Sequence, residues 1–291
     1  MQKNEIKAAV RHAGGSTLTK VGRSANLSAT AEDLRRGLNI QIKSFAALRT
    51  QHLKSLVSYW QEQGKSTRTI QNKLAHVRAA LRAVGRDKFA DAAQNSNASL
   101  GASGASRGGT HIVPDQKVLD ERFRQLPEPF RVAANLQRAL GLRAQESIQA
   151  NKSLRSWEKQ IKSGRPVMVL HGTKGGRQRS VNLLDQASRD RALEAVREAI
   201  KVMDLSGDLV IQSASLQGAN RAFQRAMNSV GFKGNEASHA LRYLFAQEQF
   251  AKYMDSLGDK EEALAALSMD LGHGDGRGRY CAQVYLGGMG A

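Results

Sequence analysis

The chain has 291 residues, enough for two domains that each bury a core. Lys and Arg number 44 against 26 Asp and Glu, and a surplus of +18 points to a polyanionic partner, usually nucleic acid. Cys281 is the single cysteine and the seven histidines lack paired-ligand spacing, so neither a disulfide, a metal site nor a cofactor is expected.

No long apolar span, signal-peptide pattern or lipidation motif is present, so no membrane role is expected and the location is expected to be cytoplasmic, on the nucleoid. Aromatic residues make up only 5%, which argues against a single-strand binder built on stacked bases and favours duplex DNA held through its phosphates.

Residues 1–38 are polar and dotted with Gly and Ser, and read as an arm or a disordered segment with one short helix near Asn4–His12. From Ile40 onward Ile42, Phe45, Leu48, Leu53, Leu56, Val57 and Trp60 recur at near-helical intervals, and Gly64 makes a stop. Ser66 or Thr67 then caps a second helix with Ile70, Leu74, Val77, Leu81 and Val84 on one face. Its other face carries Arg68, Lys73, Arg78 and Arg82. Residues 1–91 hold 17 Lys and Arg against 6 Asp and Glu, so most of the surplus charge lies in the smaller part of the chain. Residues 39–91 therefore read as a basic helical module shaped to lie on a DNA backbone. Asp91 to Thr110 reads DAAQNSNASLGASGASRGGT, a flexible linker by composition, placed at 92–112.

Helical patterning resumes at Val118–Leu126 and Pro129–Leu140, ending at Gly141 in the run LGLRAQES. Arg143 and Glu146 stand three apart just beyond. Val167–Leu170 and Arg179–Leu183 are short β-type runs about a Gly-Gly turn, which predicts a hairpin with Lys174 at its tip and Arg177 and Arg179 beside it. Leu216–Val230 is amphipathic, and Ser238 is placed to cap the helix that bears His239 and Arg242. Three apart, these two share a helix face and can address one anion together. His273 follows Leu271-Gly272, and Tyr280 and Tyr285 stand near the end of the chain, where a phenolic oxygen can attack a phosphate.

These residues carry a family resemblance. LGLRAQES resembles the arginine-bearing box of the tyrosine recombinases, the phage integrase family, and GTKGGRQRSVNL resembles their β-hairpin lysine segment. SHALR is similar to their His-x-x-Arg box, and LGHGDGRGRYCAQVYL to their closing histidine-to-tyrosine segment. The resemblance spans about residues 40 to 286, in the family's order.

It implies a mainly α protein with a small antiparallel sheet: a helical core-binding domain followed by an α+β catalytic domain at 113–291. Arg143 and Arg242 would clamp the scissile phosphate, and Lys174 would protonate the departing 5′-oxygen. His239 would assist proton transfer at the phenol, and His273 would hydrogen-bond the phosphate. Tyr285 would form a 3′-phosphotyrosyl link without metal or ATP, and Glu146 would support the arginine. The implied partners are duplex DNA, three further copies of the chain in a homotetramer built on that DNA, and an accessory DNA-bending protein. The implied duty is integration or excision of a mobile element.

The tyrosine is displaced from the family's usual spacing, which falls on Ala282. Tyr285 is preferred to Tyr280 because AQVYL resembles the family's approach to its nucleophile, as though GDGRGR were an enlarged loop. The short Gly-rich tail after Tyr285 predicts little for a neighbouring protomer to grip. A type IB topoisomerase-like enzyme and a catalytically silent DNA-binding protein on the same scaffold stand as alternatives.

Overall fold

The computed structural model describes residues 3–105, 109 and 112–287. It divides into two compact units, Met1–Ser106 and Arg107–Ala291.

In the first unit helices α1 (Lys3–His12), α2 (Thr17–Glu32), α3 (Thr50–Glu62), α4 (Thr67–Ala83) and the short α5 (Asp87–Ala90) enclose one core. Ser66 caps α4 as the sequence predicts, its hydroxyl accepting from Thr69 N at 3.3 Å. The expectation of an arm or disorder over 1–38 is corrected. Ile6, Ala9, Leu27 and Leu34 are buried in the same core as Leu56, Trp60 and Leu74. Their apolar positions are sparse, but each falls on an inward face. Glu5 ties α1 to the turn before α3, accepting from Ser44 Oγ at 2.6 Å and Phe45 N at 2.8 Å.

The linker expected at 92–112 is corrected in the same way for residues 93–105. Asn95, Leu100 and Ala102 are buried, and α3 and α4 hold this segment by its backbone. Arg78 donates to Asn95 O at 2.7 Å, Gln61 to Gly101 O at 2.9 Å and Gln71 to Ala102 O at 2.8 Å. A run of small residues has little side chain to bury, but it lets carbonyls approach long polar donors. Residues 106–108, 110 and 111, and with them His111, lie outside the described residues.

The basic face expected on α4 is largely engaged within the unit. Lys73 is buried, 3.3 Å from Asp33 and 4.7 Å above the Trp60 ring, while Trp60 Nε1 donates to Asp33 at 2.8 Å. Arg78 grips residues 95–97, and Arg82 pairs with Asp91.

The second unit comprises α6 (Gln116–Gln125), α7 (Glu128–Leu140), α8 (Ala144–Ile148), α9 (Leu154–Lys162), the strands β1 (Val167–Val169) and β2 (Arg179–Val181), α10 (Gln186–Leu205), α11 (Leu216–Ser229), α12 (Ala240–Leu257), α13 (Lys260–Asp270) and α14 (Gly278–Cys281). Helix α10 packs on α7 and α9, and α12 packs on α7 and α13, around a core that includes Trp157, Phe223, Phe232, Leu241 and Leu267. The strands pair antiparallel with Val167 opposite Val181 and Val169 opposite Arg179, a shorter hairpin than its apolar runs suggested. Gly141 ends α7 with φ +58°, a left-handed turn that an L side chain rarely adopts. Ser238 does not cap α12: His239 occupies that position, and the Ser238 hydroxyl lies 3.3 Å from Gln224 Nε2. Among the described residues no helix is long and apolar enough to cross a membrane.

Candidate active site

Three segments distant in sequence meet at one carboxylate. Gly141 turns the chain so that α8 starts at Arg143, and Glu146, at the third helical position, accepts from the Arg143 backbone N–H at 2.8 Å. The same carboxylate takes Arg143 Nη1 at 2.7 Å and Arg179 Nη2 at 2.8 Å, and lies 4.0 Å from Arg242 Nη1. Burial alone would raise the Glu146 carboxyl, but Arg179, Arg242 and Arg143 outweigh it and hold it down at about 2. One buried anion thus faces three guanidinium groups.

Backbone carbonyls complete the frame. Gly141 O accepts from Arg242 Nη1 and, at 3.2 Å, from Arg179 Nη2. Leu271 O accepts from Arg242 Nη2 and, at 3.2 Å, from Arg143 Nη2. Arg179 Nη1 reaches Asp270 O. Arg242 is fully buried, and its value falls to about 10 through desolvation and the neighbouring arginines, partly offset by Tyr285. Arg143 keeps 22% of its side chain open to solvent, so the cluster has an accessible cationic edge.

Tyr285 closes the cluster. It lies on a π-helical turn, Ala282–Leu286, that continues α14, and the loop 274–277 together with that wider turn takes up the enlarged spacing from His273. Its side chain is buried, and its hydroxyl sits 3.3 Å from Arg242 Nε and 2.9 Å from His273 Nε2. Tyr280 is 37% exposed, its ring centroid 4.9 Å from that of His273. Burial raises its phenol, aided by Tyr285.

The two histidines differ from the resemblance in one respect. His273, not His239, holds the Tyr285 hydroxyl; the His239 ring lies 5.9 Å from the Tyr285 ring and 4.9 Å from that of Tyr243. One edge of His239 stays open to solvent, yet desolvation of the rest, with Arg242 and Arg143, lowers it to about 4. Burial and the arginines lower His273 to about 3. Both imidazoles are therefore neutral at pH 7.

Lys174 is not brought into the cluster. It sits exposed on the turn Lys174–Gly176, with no hydrogen bond or ion pair to a described residue. Arg277 and Arg279 are also exposed, and Cys281 is a buried packing residue whose thiol is raised by burial.

Sequence reasoning placed Arg179 beside the hairpin tip, whereas its side chain is buried at the centre of the site. Strand parity carried the signal. Residues two apart on a strand share a face, so an inward Val181 implies an inward Arg179. Asp270 was missed as well. Its carboxylate accepts from Asn182 Nδ2 at 2.9 Å, Gln249 Nε2 at 2.8 Å and Tyr253 Oη at 2.8 Å, which ties α12 and α13 to the hairpin. Burial raises this carboxyl despite those donors. Nothing local in its sequence separates it from a surface acid. Among the described residues no group of side chains is arranged to hold a metal ion.

Residues 101–248 match the integrase family model, and residues 1–90 match the model for the N-terminal domain of phage integrases. The first match takes in Arg143, Lys174, His239 and Arg242 and stops before His273 and Tyr285. Among solved structures, the Tn1549 transposon integrase in complex with transposon right-end DNA superposes with a TM-score of 0.58 at 16% identity, over 94% of this chain and 91% of that one. The lambda integrase dimer bound to a COC′ core site gives 0.58 at 18% identity, over 98% of this chain and 77% of that one. At such identities the likeness is one of fold. No curated protein matches in sequence. The family match extends over half of the chain, and the protein belongs to the integrase family, the tyrosine recombinases, which are site-specific DNA recombinases.

Proposed function

We propose that this recombinase cuts and rejoins duplex DNA through Tyr285, which becomes linked to the 3′-phosphate while the 5′-oxygen departs. The observation that carries the reading is the Tyr285 hydroxyl, held between Arg242 Nε at 3.3 Å and His273 Nε2 at 2.9 Å. A phosphodiester repels nucleophiles by its charge, so fixed cations must receive it first. Arg242 stands beside the hydroxyl, and Arg143 shares with it the Leu271 carbonyl, so the pair is fixed in place before substrate arrives.

His273 lies within hydrogen-bond reach of the phenol and is assigned as the acceptor of its proton. His239, at the open edge, then donates to the phosphate, an exchange of the roles that the resemblance implied. Lys174, on its exposed turn, is assigned as the acid that protonates the departing 5′-oxygen.

The DNA complexes of the Tn1549 and lambda integrases support duplex DNA as the substrate, and the transposon source of the former supports integration or excision of a mobile element as the duty. Assembly as a homotetramer on DNA, help from a DNA-bending protein and residence on the nucleoid follow from the same reading. Exposed Lys7, Arg11, Lys43 and Lys54 of the first unit supply backbone contacts in place of the engaged cations of α4.

The test is a nicked duplex from which the cleaved fragment escapes, carrying a site selected by the full chain from a random pool. A protein–DNA adduct should form with the wild type and with Tyr280→Phe, and disappear with Tyr285→Phe. Loss with Tyr280→Phe alone would transfer the nucleophile to Tyr280. Absence of adduct on a duplex that is demonstrably bound would favour a silent binder.

A further inference from the structure

We propose that Arg179 is a positioning residue for the recombination reaction, a third buried arginine that never meets the phosphate yet sets the two that do. The inference rests on the reading above, in which Arg143 and Arg242 receive the phosphate.

Three contacts define the part it plays. Nη2 holds Glu146 Oε2 at 2.8 Å, the oxygen that also receives the Arg143 backbone N–H. The same nitrogen reaches Gly141 O at 3.2 Å, the carbonyl that also binds Arg242. Nη1 reaches Asp270 O, one residue before the carbonyl of Leu271 that Arg143 and Arg242 share. Arg179 is thus bonded to both segments that aim the catalytic arginines, 141–146 and 270–271, and its side chain is only 1% exposed.

The chain is shaped around it. Gly272 adopts φ +66°, and a Cβ there would stand 2.6 Å from Arg179 Cδ. A side chain at 272 would therefore press on Arg179 and strain the backbone, and the turn that Gly272 forms leads directly into His273. Nε has no partner among the described residues, so the side chain is held by its two terminal nitrogens. A lysine retains the charge but has one nitrogen, which cannot form the planar fork that spans Glu146 and two carbonyls.

Electrostatics gives Arg179 a second effect. It is the first attraction opposing the burial of Glu146, so its removal leaves that carboxylate with weaker support and a higher tendency to take up a proton. A protonated Glu146 no longer fixes Arg143.

The experiment measures single-turnover adduct formation on pre-bound complexes, from pH 4.5 to 8, with the selected nicked duplex and the full chain. Only folded protein enters the bound complex, so the rate is read free of folding losses. Arg179→Lys should slow the step about 10- to 100-fold, the range found when outer partners that orient a site's ligands are removed. Arg179→Met should add an acid limb absent from the wild type, with the rate falling as pH falls, and Glu146→Gln in that background should abolish the limb.

A bound Arg179→Lys complex that reacts at the wild-type rate, with an unchanged pH profile, would overturn the inference. So would failure of both variants to bind DNA, which would make Arg179 a folding residue only. Arg143→Ala run in parallel separates the two readings. If it reacts normally, the phosphate clamp itself is wrong; if it fails while Arg179→Lys does not, only the part given to Arg179 falls.

Discussion

Two groups of basic residues, one in each unit, are held in opposite ways. In the first, cations are paired off one at a time: Lys73 with Asp33 and Trp60, Arg78 with the carbonyl of Asn95, Arg82 with Asp91. In the second, Arg143, Arg179 and Arg242 converge on Glu146 and share the carbonyls of Gly141 and Leu271. Separate partners occupy each cation and hold a fold together. A shared anion leaves a net positive excess in fixed positions, which is what a phosphate in transition requires. Formal charge thus says that cations are present, and only their partners say which remain available.

The contrast breaks most sharply at Glu146. Glu146→Ala should cost about 3–5 kcal/mol in urea unfolding, because it strands buried guanidinium groups without an anion. A loss below 1 kcal/mol would mean that the carbonyls alone hold the arginines.

Next in size is the response to acid. The folded-state values of His239 and His273, about 4 and 3, lie below the ordinary histidine value, so stability should fall as pH drops from about 6.5 toward 3. Glu146, at about 2, adds a second loss that begins near the ordinary carboxylate value of about 4.3 and runs down through 2. Melting temperatures across this range should decline in both windows, and Glu146→Gln should flatten only the lower one.

In the first unit Asp33→Ala removes the partner of Lys73 and the acceptor of Trp60 Nε1. The site is partly open at Asp33, so about 2 kcal/mol is expected in urea unfolding, with adduct chemistry on bound DNA unchanged. A change in the chemical rate would show that the two units are coupled energetically.

The smallest effect belongs to the exposed pairs of Glu32 with Arg35 and Arg36. Glu32→Gln should alter stability by less than about 1 kcal/mol, and by less still at high salt. A larger change would place these pairs among the structural ones.

Much of the fold was legible because its signals are local. The Ser66 cap, the face of Ile70, Leu74 and Val77, and the glycine that ends α7 each depend on residues within a few positions. Residues 1–38 and 93–105 were not legible, since their order comes from distant partners such as Ser44 and Phe45 for Glu5, and Arg78 for Asn95. Composition registers the lack of large apolar side chains, not the carbonyls that long polar groups can grip.

The site divides along the same line. The sequence by itself carried the charge surplus, the helical and hairpin elements, and the boxes whose resemblance to the family proposes Arg143, Lys174, His239, Arg242, His273 and Tyr285, because such short motifs are written along the chain. Tertiary structure alone decided which tyrosine hydroxyl meets Arg242, which histidine holds it, that Lys174 stands apart, and that the inward Arg179 meets Glu146. These are contacts between residues dozens of positions apart, set by how α7, α12, α13 and the hairpin pack, and no local pattern encodes that packing.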